Sequence, residues 1–297
     1  MAQTRLDRSE QINGWAFVMP ALVLLGIFMI YPIIWSLWMS FQVGRGANFS
    51  FGGLTNIQRL ANDGLFVQAL INTCIFFVIQ VPIMIVLALL FAVALNDPTL
   101  RFRGLFRTLL FLPCVTSLIA YSSLFKSMFS NDGIINQALL TLHIIGAPIP
   151  WLSDPFWARV VIIAAITWRW TGYNMIFYLA ALQNVDKSIY EAARIDGVPP
   201  WARFTSITIP MLKPVILFTT ILSTIGTLQL FDEVNNITPQ GGPANSTLTL
   251  SFYIYNLTFR MMPSYGYSAT ISWVIVLIVA VLSFIQFMIA RDRRRPS

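Results

Sequence analysis

Six apolar runs, each long enough to cross a bilayer, alternate with short polar connections along this chain. The runs cover roughly Trp15–Met39, Phe66–Leu95, Leu105–Met128, Phe156–Gln183, Met211–Phe231 and Tyr265–Ala290. A bilayer core about 30 Å thick needs about 20 apolar residues in a helix, so each run predicts one transmembrane span. Pro82 and Pro113 fall inside spans 2 and 3, where they read as kinks rather than stops. The first run is too long for a secretory leader and has no small-x-small cleavage site after a short apolar core, so it is expected to stay as a span. Polar loops are predicted over Gln42–Gly64, 130–155 and from span 5 to about Pro263. Asn96-Asp97-Pro98 predicts a turn between spans 2 and 3. The fold class is therefore an all-α integral membrane protein, organised as a polar tail over 1–14, a transmembrane domain over 15–290 and a basic tail over 291–297.

One stretch breaks the apolar rhythm of the second half. Ser188–Pro210 reads SIYEAARIDGVPPWARFTSITIP. Ser188 and Glu191 have capping-box spacing, and Ala192, Ala193 and Arg194 favour helix. Gly197 suits the left-handed residue that closes a helix, and Pro199-Pro200 prevent its continuation. Trp201, Phe204 and Ile207 recur at a helical interval, which predicts a second short helix. The expectation is a helix–turn–helix elbow between spans 4 and 5.

Charge orients the chain. Thirteen of the 19 Lys and Arg lie in the N-terminal stretch, the span 2–3 connection, the elbow and the C-terminal tail. The other loops hold Arg45, Arg59, Arg159 and Arg260. Positive residues mark the cytoplasmic side, so both termini and the elbow are expected there. The net charge of +7 is then a topology signal. Four arginines beside a span end form a membrane anchor for lipid, so no nucleic-acid partner is read from them.

Composition excludes an ordinary soluble domain: 57% of residues are hydrophobic and 10% charged, against about a quarter charged in soluble proteins. Cys74 and Cys114 read as small core residues and His143 as a loop residue. No cluster of metal ligands or nucleophile with its base is visible, and no G-x-x-x-x-G-K-[ST] occurs. The chain itself is expected to bind no cofactor and to catalyse no reaction.

Polar and aromatic residues inside spans 4 and 5 are the remaining candidates. Thr167–Asn174 reads TWRWTGYN. Arg169 is costly at mid-depth, so it should face protein or a water-filled cavity. Trp168, Tyr173 and Asn174 supply flat faces and hydrogen-bond groups suited to a sugar; packing between helices is the other reading. Ser223, Gly226, Thr227 and Leu230 fall on one helical face, which fits either a ligand wall or small-residue packing. Gln229, Asp232 and Glu233 near the outer end of span 5 fit either ligand contact or loop anchoring.

The pattern Glu191-Ala192-Ala193, three residues, Gly197, nine residues, then Ile207-x-Ile209-Pro210 resembles the EAA signature of the permease subunits of binding-protein-dependent ABC importers, with Ile209 where Leu is usual. Tyr178–Gln183, Gly241–Thr247, Tyr253–Tyr255 and Tyr265–Ala269 resemble the carbohydrate-uptake, maltose-type subgroup, more its first permease than its second. The match is best over 66–290. The resemblance implies a type I importer permease fold with six helices, both termini cytoplasmic, and a coupling elbow at 188–210. It implies ATPase-coupling roles around Tyr190, Glu191, Ala192, Ala193, Asp196, Gly197, Trp201 and Pro210. By position counted from the elbow it implies a substrate site that includes Trp168, Tyr173, Ser223, Gly226, Thr227 and Leu230; with the polar residues read above, the substrate-binding candidates are Trp168, Arg169, Tyr173, Asn174, Ser223, Thr227, Gln229 and Leu230. Its partners would be a second homologous permease, two ATPase subunits carrying ATP and Mg, and an extracytoplasmic sugar-binding protein. A glycerol-phosphate permease of the same family is the alternative, with Arg169 as a cationic group for phosphate. An ion-coupled secondary transporter would want mid-membrane acids and an inverted repeat, and neither is seen.

Overall fold

The computed structural model describes residues 2–46 and 48–292, and the side chains of 10–46 and 48–290. Arg5, Arg8, Arg291 and the 293–297 tail, part of the charge argument above, lie outside the described side chains. Along the chain run α1 (Ala2–Leu25), a π-helical turn at Gly26–Ile30, α2 (Tyr31–Ser40), β1 (Gln42–Arg45), β2 (Asn48–Phe51), α3 (Thr55–Asn62), α4 (Gly64–Asn96), α5 (Arg103–Val115), α6 (Leu118–Met128) and α7 (Ile134–Thr141). Then follow α8 (Pro155–Gln183), α9 (Lys187–Ile195), α10 (Pro200–Arg203), a second π turn at Phe204–Thr208, α11 (Ile209–Leu228), α12 (Asp232–Ile237), α13 (Leu250–Tyr255), a third π turn at Asn256–Arg260, and α14 (Tyr265–Asp292).

Among the described residues, five helices are long and apolar enough to span a membrane: Glu10–Ser40, Gly64–Asn96, Pro155–Gln183, Pro200–Leu228 and Tyr265–Ala290. The expected third span is not one straight helix. Arg103–Val115 and Leu118–Met128 meet at an angle of 100°, and counting the pair as one span gives six. The break falls at Thr116 and Ser117, both extended, just after Pro113. Thr116 Oγ1 donates to the Pro113 carbonyl (2.8 Å), taking up a group that the interrupted ladder frees. Span 5 begins earlier than expected, because the helix predicted after Pro200 runs without a break into α11. The polar 1–13 stretch likewise continues α1 backwards to Ala2. Cys74 is exposed on α4 instead of packed in the core, and Cys114 is half-buried.

The chain divides into two compact units, 1–62 with 256–274, and 63–255 with 275–297. The first contains α1 and α2, whose described side chains, from Glu10 on, are almost wholly exposed. It also contains a hairpin in which Gln42 pairs with Phe51 and Arg45 with Asn48. The loop predicted over 42–64 is thus structured, and polar bonds hold it. Asn56 Nδ2 donates to the Ser40 and Gln42 carbonyls (2.9 and 2.8 Å), and Thr270 Oγ1 donates to the same Ser40 carbonyl (3.0 Å). The Arg59 guanidinium lies 3.9 Å over the Tyr267 ring, a cation–π contact.

The second unit is built on α4 against α8. Ala88, Ala92, Met175, Tyr178, Leu179 and Leu212 share one buried cluster. The Tyr178 and Thr219 hydroxyls meet at 2.6 Å, tying α8 to α11. Gln286 of α14 donates to Thr224 Oγ1 (2.8 Å) and Lys213 Nζ donates to the Ala290 carbonyl, so the end of α14 lies along α11. Gly172 lets α5 approach α8 closely: a Cβ there would run into the Leu110 carbonyl oxygen. Overpacking of this kind costs about 1–3 kcal/mol. Gly172→Val is therefore expected to lower the thermal unfolding midpoint of detergent-purified protein, and an unchanged midpoint would show that α5 and α8 do not meet at this residue.

Candidate functional site: a membrane cavity and its elbow

A cavity of about 320 Å³ opens between α4, α8, α11 and α12, at the lower end of the ~300–1,000 Å³ usual for small-molecule sites. Each wall comes from a helical repeat. On α8, Ile166, Trp170, Tyr173 and Asn174 are spaced by three or four residues and share a face. On α11 the same spacing brings Leu222, Ser223, Gly226 and Thr227 together. Gln80 and Met84 of α4 supply the third side. Beyond the end of α11, Gln229–Phe231 and then Asp232 and Glu233 of α12 complete the lining.

Hydrogen bonds fix several of these side chains. Thr227 Oγ1 donates to Gln80 Oε1 (3.0 Å), joining α11 to α4. Asn174 Nδ2 donates to the Trp170 carbonyl (3.0 Å) and reaches Met84 Sδ (3.5 Å). The Trp170 and Tyr173 rings meet edge to face at 5.6 Å. The cavity is thus mainly apolar and aromatic, with a few placed amides, hydroxyls and carboxylates. That mixture can hold a polyhydroxylated ring by stacking and hydrogen bonding.

Six of the eight substrate-site candidates line this space: Tyr173, Asn174, Ser223, Thr227, Gln229 and Leu230. Trp168 and Arg169 do not. Two residues along a helix turn a side chain by about 200°, so Trp168 points away from Trp170. It stacks on Tyr121 of α6 at 6.0 Å and tilts against Phe125 at 5.5 Å. Arg169 is buried, with its guanidinium 5.0 Å over Tyr121 and 5.7 Å over Trp170. The lining residues that the sequence reading passed over include Trp170, Gln80 and Met84. Spacing could have found Trp170, which stands three and four positions before Tyr173 and Asn174. Gln80 was visible as an amide in the middle of an apolar run.

The loop after α12 is held under strain. Gln240, Ala244 and Asn245 have φ of 66°, 50° and 55°, a region that non-glycine residues rarely occupy. A clamp holds it. Arg159 donates from Nε to the Ser246 carbonyl (2.9 Å) and from Nη2 to Asn72 Oδ1 (3.1 Å). Asn72 Nδ2 donates to the Asn245 and Leu248 carbonyls (2.8 and 3.0 Å), and Gln68 Nε2 to that of Ala244 (2.8 Å). Thr249 Oγ1 donates to the Leu230 carbonyl (2.6 Å), linking the clamp to the cavity wall.

The elbow forms, with one change at its start. Asp186, not Ser188, caps α9, its carboxylate accepting the Ser188 N–H (2.9 Å). The helix starts at Lys187, so Ser188 lies inside it and the N-cap place, two residues ahead of a free amide, falls to Asp186. This bond, joined by one from the Ser188 side chain, holds the Asp186 carboxyl below its ordinary value. At the other end the Val198 N–H donates to the Ala193 carbonyl (3.0 Å) and Gly197 N–H to that of Arg194 (3.1 Å), with Gly197 at φ +71°. This pair of bonds is a Schellman closure. Glu191, Ala192, Asp196, Trp201 and Pro210 are exposed, whereas Ala193 is buried and Tyr190 half-buried. Tyr190 Oη meets Thr208 Oγ1 at 3.0 Å, fastening α9 to the π turn that begins span 5.

The family pattern described as "Binding-protein-dependent transport system inner membrane component" matches residues 49–295. The chain belongs to that family. It is a multi-pass inner-membrane component of a transport system. The lactose transport system permease protein LacF of Rhizobium radiobacter is 67% identical over 294 residues, covering 99% of each chain. The arabinooligosaccharides transport system permease protein AraP of Halalkalibacterium halodurans is 35% identical over 280 residues, 94% of this chain and 87% of that one. A bacterial ABC transporter involved in the import of the acidic polysaccharide alginate superposes with a TM-score of 0.86 at 21% identity, over 99% of this chain and 100% of that one. At that identity the likeness is one of fold.

The cap gives a test of local structure. Asp186→Ala is expected to speed amide exchange in the first turn of α9, while Ser188→Ala changes it less. Acid acts in the same direction as D186A. The folded carboxyl titrates lower than in an unfolded chain, so its contribution is complete above the ordinary carboxylate range and fades as pH falls through the lower folded value. Equal exchange in D186A and wild type would remove Asp186 from the cap.

Proposed function

We propose that this chain is one permease subunit of an ATP-driven, binding-protein-dependent importer that moves a sugar or oligosaccharide across the cytoplasmic membrane by alternating access. The cavity carries this reading: aromatic faces, amides and hydroxyls from α4, α8 and α11 converge on a space suited to a saccharide. The names of the relatives at 67% and 35% identity, for lactose and arabinooligosaccharides, support the substrate class. In the proposed assembly a second homologous permease stands beside this one, and two ATPase subunits bind ATP and Mg. An extracytoplasmic sugar-binding protein delivers the substrate. Both termini and α9 face the cytoplasm.

The elbow is the proposed coupling port. Glu191, Ala192 and Asp196 present an exposed face of α9, and Ile195 and Trp201 add apolar knobs that are 87% and 69% exposed. A rigid-body shift of the ATPases then reaches α8 and α11 together, one of the known routes for switching between states. The glycerol-phosphate alternative is less well supported, because Arg169, the cation invoked for phosphate, is not among the cavity-lining residues.

Uptake of radiolabelled lactose by cells carrying the complete transporter is the direct test, and absence of uptake for lactose and other neutral oligosaccharides would defeat the sugar reading. Gly197→Pro is expected to abolish uptake while the protein still inserts, since proline fixes φ near −65° and this position is at +71°. Tyr173→Ala is expected to cut uptake by about tenfold, the loss of one stacking and hydrogen-bonding ring, with normal membrane abundance. Undiminished uptake in either variant would remove that residue from its role.

A further inference from the structure

We infer that Glu233 is the carboxylate that reads a hydroxyl of the transported saccharide. Arg169 is its positioning residue, acting from behind the cavity wall. The inference deepens the sugar reading above and rests on it.

Glu233 stands in the first turn of α12, is 5% exposed and lines the cavity. Its carboxylate meets its own backbone N–H, and no other side chain among the described residues bonds it. Burial pushes the Glu233 carboxyl up, and the Arg169 charge opposes that rise; in its ionised form the group only accepts, with room for about four donors. Leaving that capacity unused in a desolvated place is costly, so the group that fits against it is a donor. A sugar hydroxyl is one. A carboxylate or phosphate brings more acceptors and like charge, and Asp232 beside Glu233 adds to the repulsion. The site is therefore matched to an uncharged saccharide.

Arg169 supplies the other half. It is 8% exposed, and its Nε and Nη1 are buried without a partner. The Tyr121 and Trp170 rings lie against its guanidinium and fix its plane. It does not line the cavity, and the helix that carries it packs against α12, which carries Glu233. Helix α12 packs on both α6 and α8, so Tyr121, Arg169 and Glu233 sit on three helices that meet. A buried charge is tolerated when another offsets it. Here the offset holds the acceptor at the cavity wall and keeps the cation away from the substrate.

The test is uptake by the complete transporter of labelled lactose and a set of its monodeoxy analogues, with membrane abundance measured in parallel. A site that bonds a hydroxyl discriminates against the analogue lacking it. For one analogue, wild type is expected to show a preference for lactose of about tenfold or more that falls to about twofold in E233Q. R169M is expected to lose the same preference, and R169M/E233Q to be no worse than either single variant, because the two act as a unit. Unchanged preferences in E233Q overturn the hydroxyl role. An R169M that weakens uptake of every analogue alike, or whose loss adds to that of E233Q, overturns the positioning role. If R169M fails to assemble, restored assembly of R169M/E233Q supports the pairing, and failure of both overturns it. Wild type that takes up no sugar defeats the sugar reading instead.

Discussion

In a hydrocarbon solvent a helix gains little by hiding leucine, so helices meet through what is small, polar or shaped to fit. The second unit uses such contacts beside its apolar cluster of Met175, Leu179 and Leu212. Alanines and Gly172 let α4, α5 and α8 approach closely. The Tyr178–Thr219 and Thr227–Gln80 bonds place α11 against its neighbours. The same constraint makes the cavity possible, because polar groups already turned inward need only a gap between helices to become a lining.

The spans were legible because length and apolarity alone define them. The break in span 3 was not, because a proline within an apolar run can kink or interrupt a helix, and tertiary packing decides which. Here α6 turns away after Ser117, and the aromatic side chains of Tyr121 and Phe125 find Trp168. The hairpin at 42–51 was hidden for a related reason. Its Asn56 and Thr270 anchors are distant in sequence, and no local pattern announces them. The elbow was legible at its closing end, where Gly197 has one conformational use. It was less so at its start, where Asp186 and Ser188 both could cap.

The candidate site was legible as a set of helical faces. Choosing the face of α8 required knowing which side meets α4 and α11, and an aromatic run with Trp168 and Trp170 two residues apart offers both sides. Sequence ranked Arg169 as a ligand because a mid-span cation needs a reason. The structure supplies another reason, in the two aromatic rings that lie against its guanidinium. Glu233 could not be assigned from sequence, because residues at a span end face water, loop or ligand according to a turn that only the fold defines.

The elbow and the cavity are mechanically one object within the second unit. Helix α8 carries Tyr173 and Asn174 and ends just before α9, while the helix from Pro200 carries Ser223 and Thr227 without a break. From Pro200 to Ser223 is about 35 Å at 1.5 Å per residue, so a small tilt at the elbow becomes a larger displacement at the cavity wall. The Tyr178–Thr219 bond braces the two helices between elbow and cavity. The Tyr190–Thr208 bond joins α9 to the π turn, a place where the helical ladder is loosened. In the proposed coupling, a shift of α9 enters span 5 at this π turn and passes on into α11. The α12 carboxylates lie past α11, on a helix held from the outer side by the Arg159–Asn72 clamp through Thr249 and Leu230. The α8 and α11 walls of the cavity are thus joined to the elbow and its far end to the clamp, so in the proposed switch a tilt of the two helices changes the cavity.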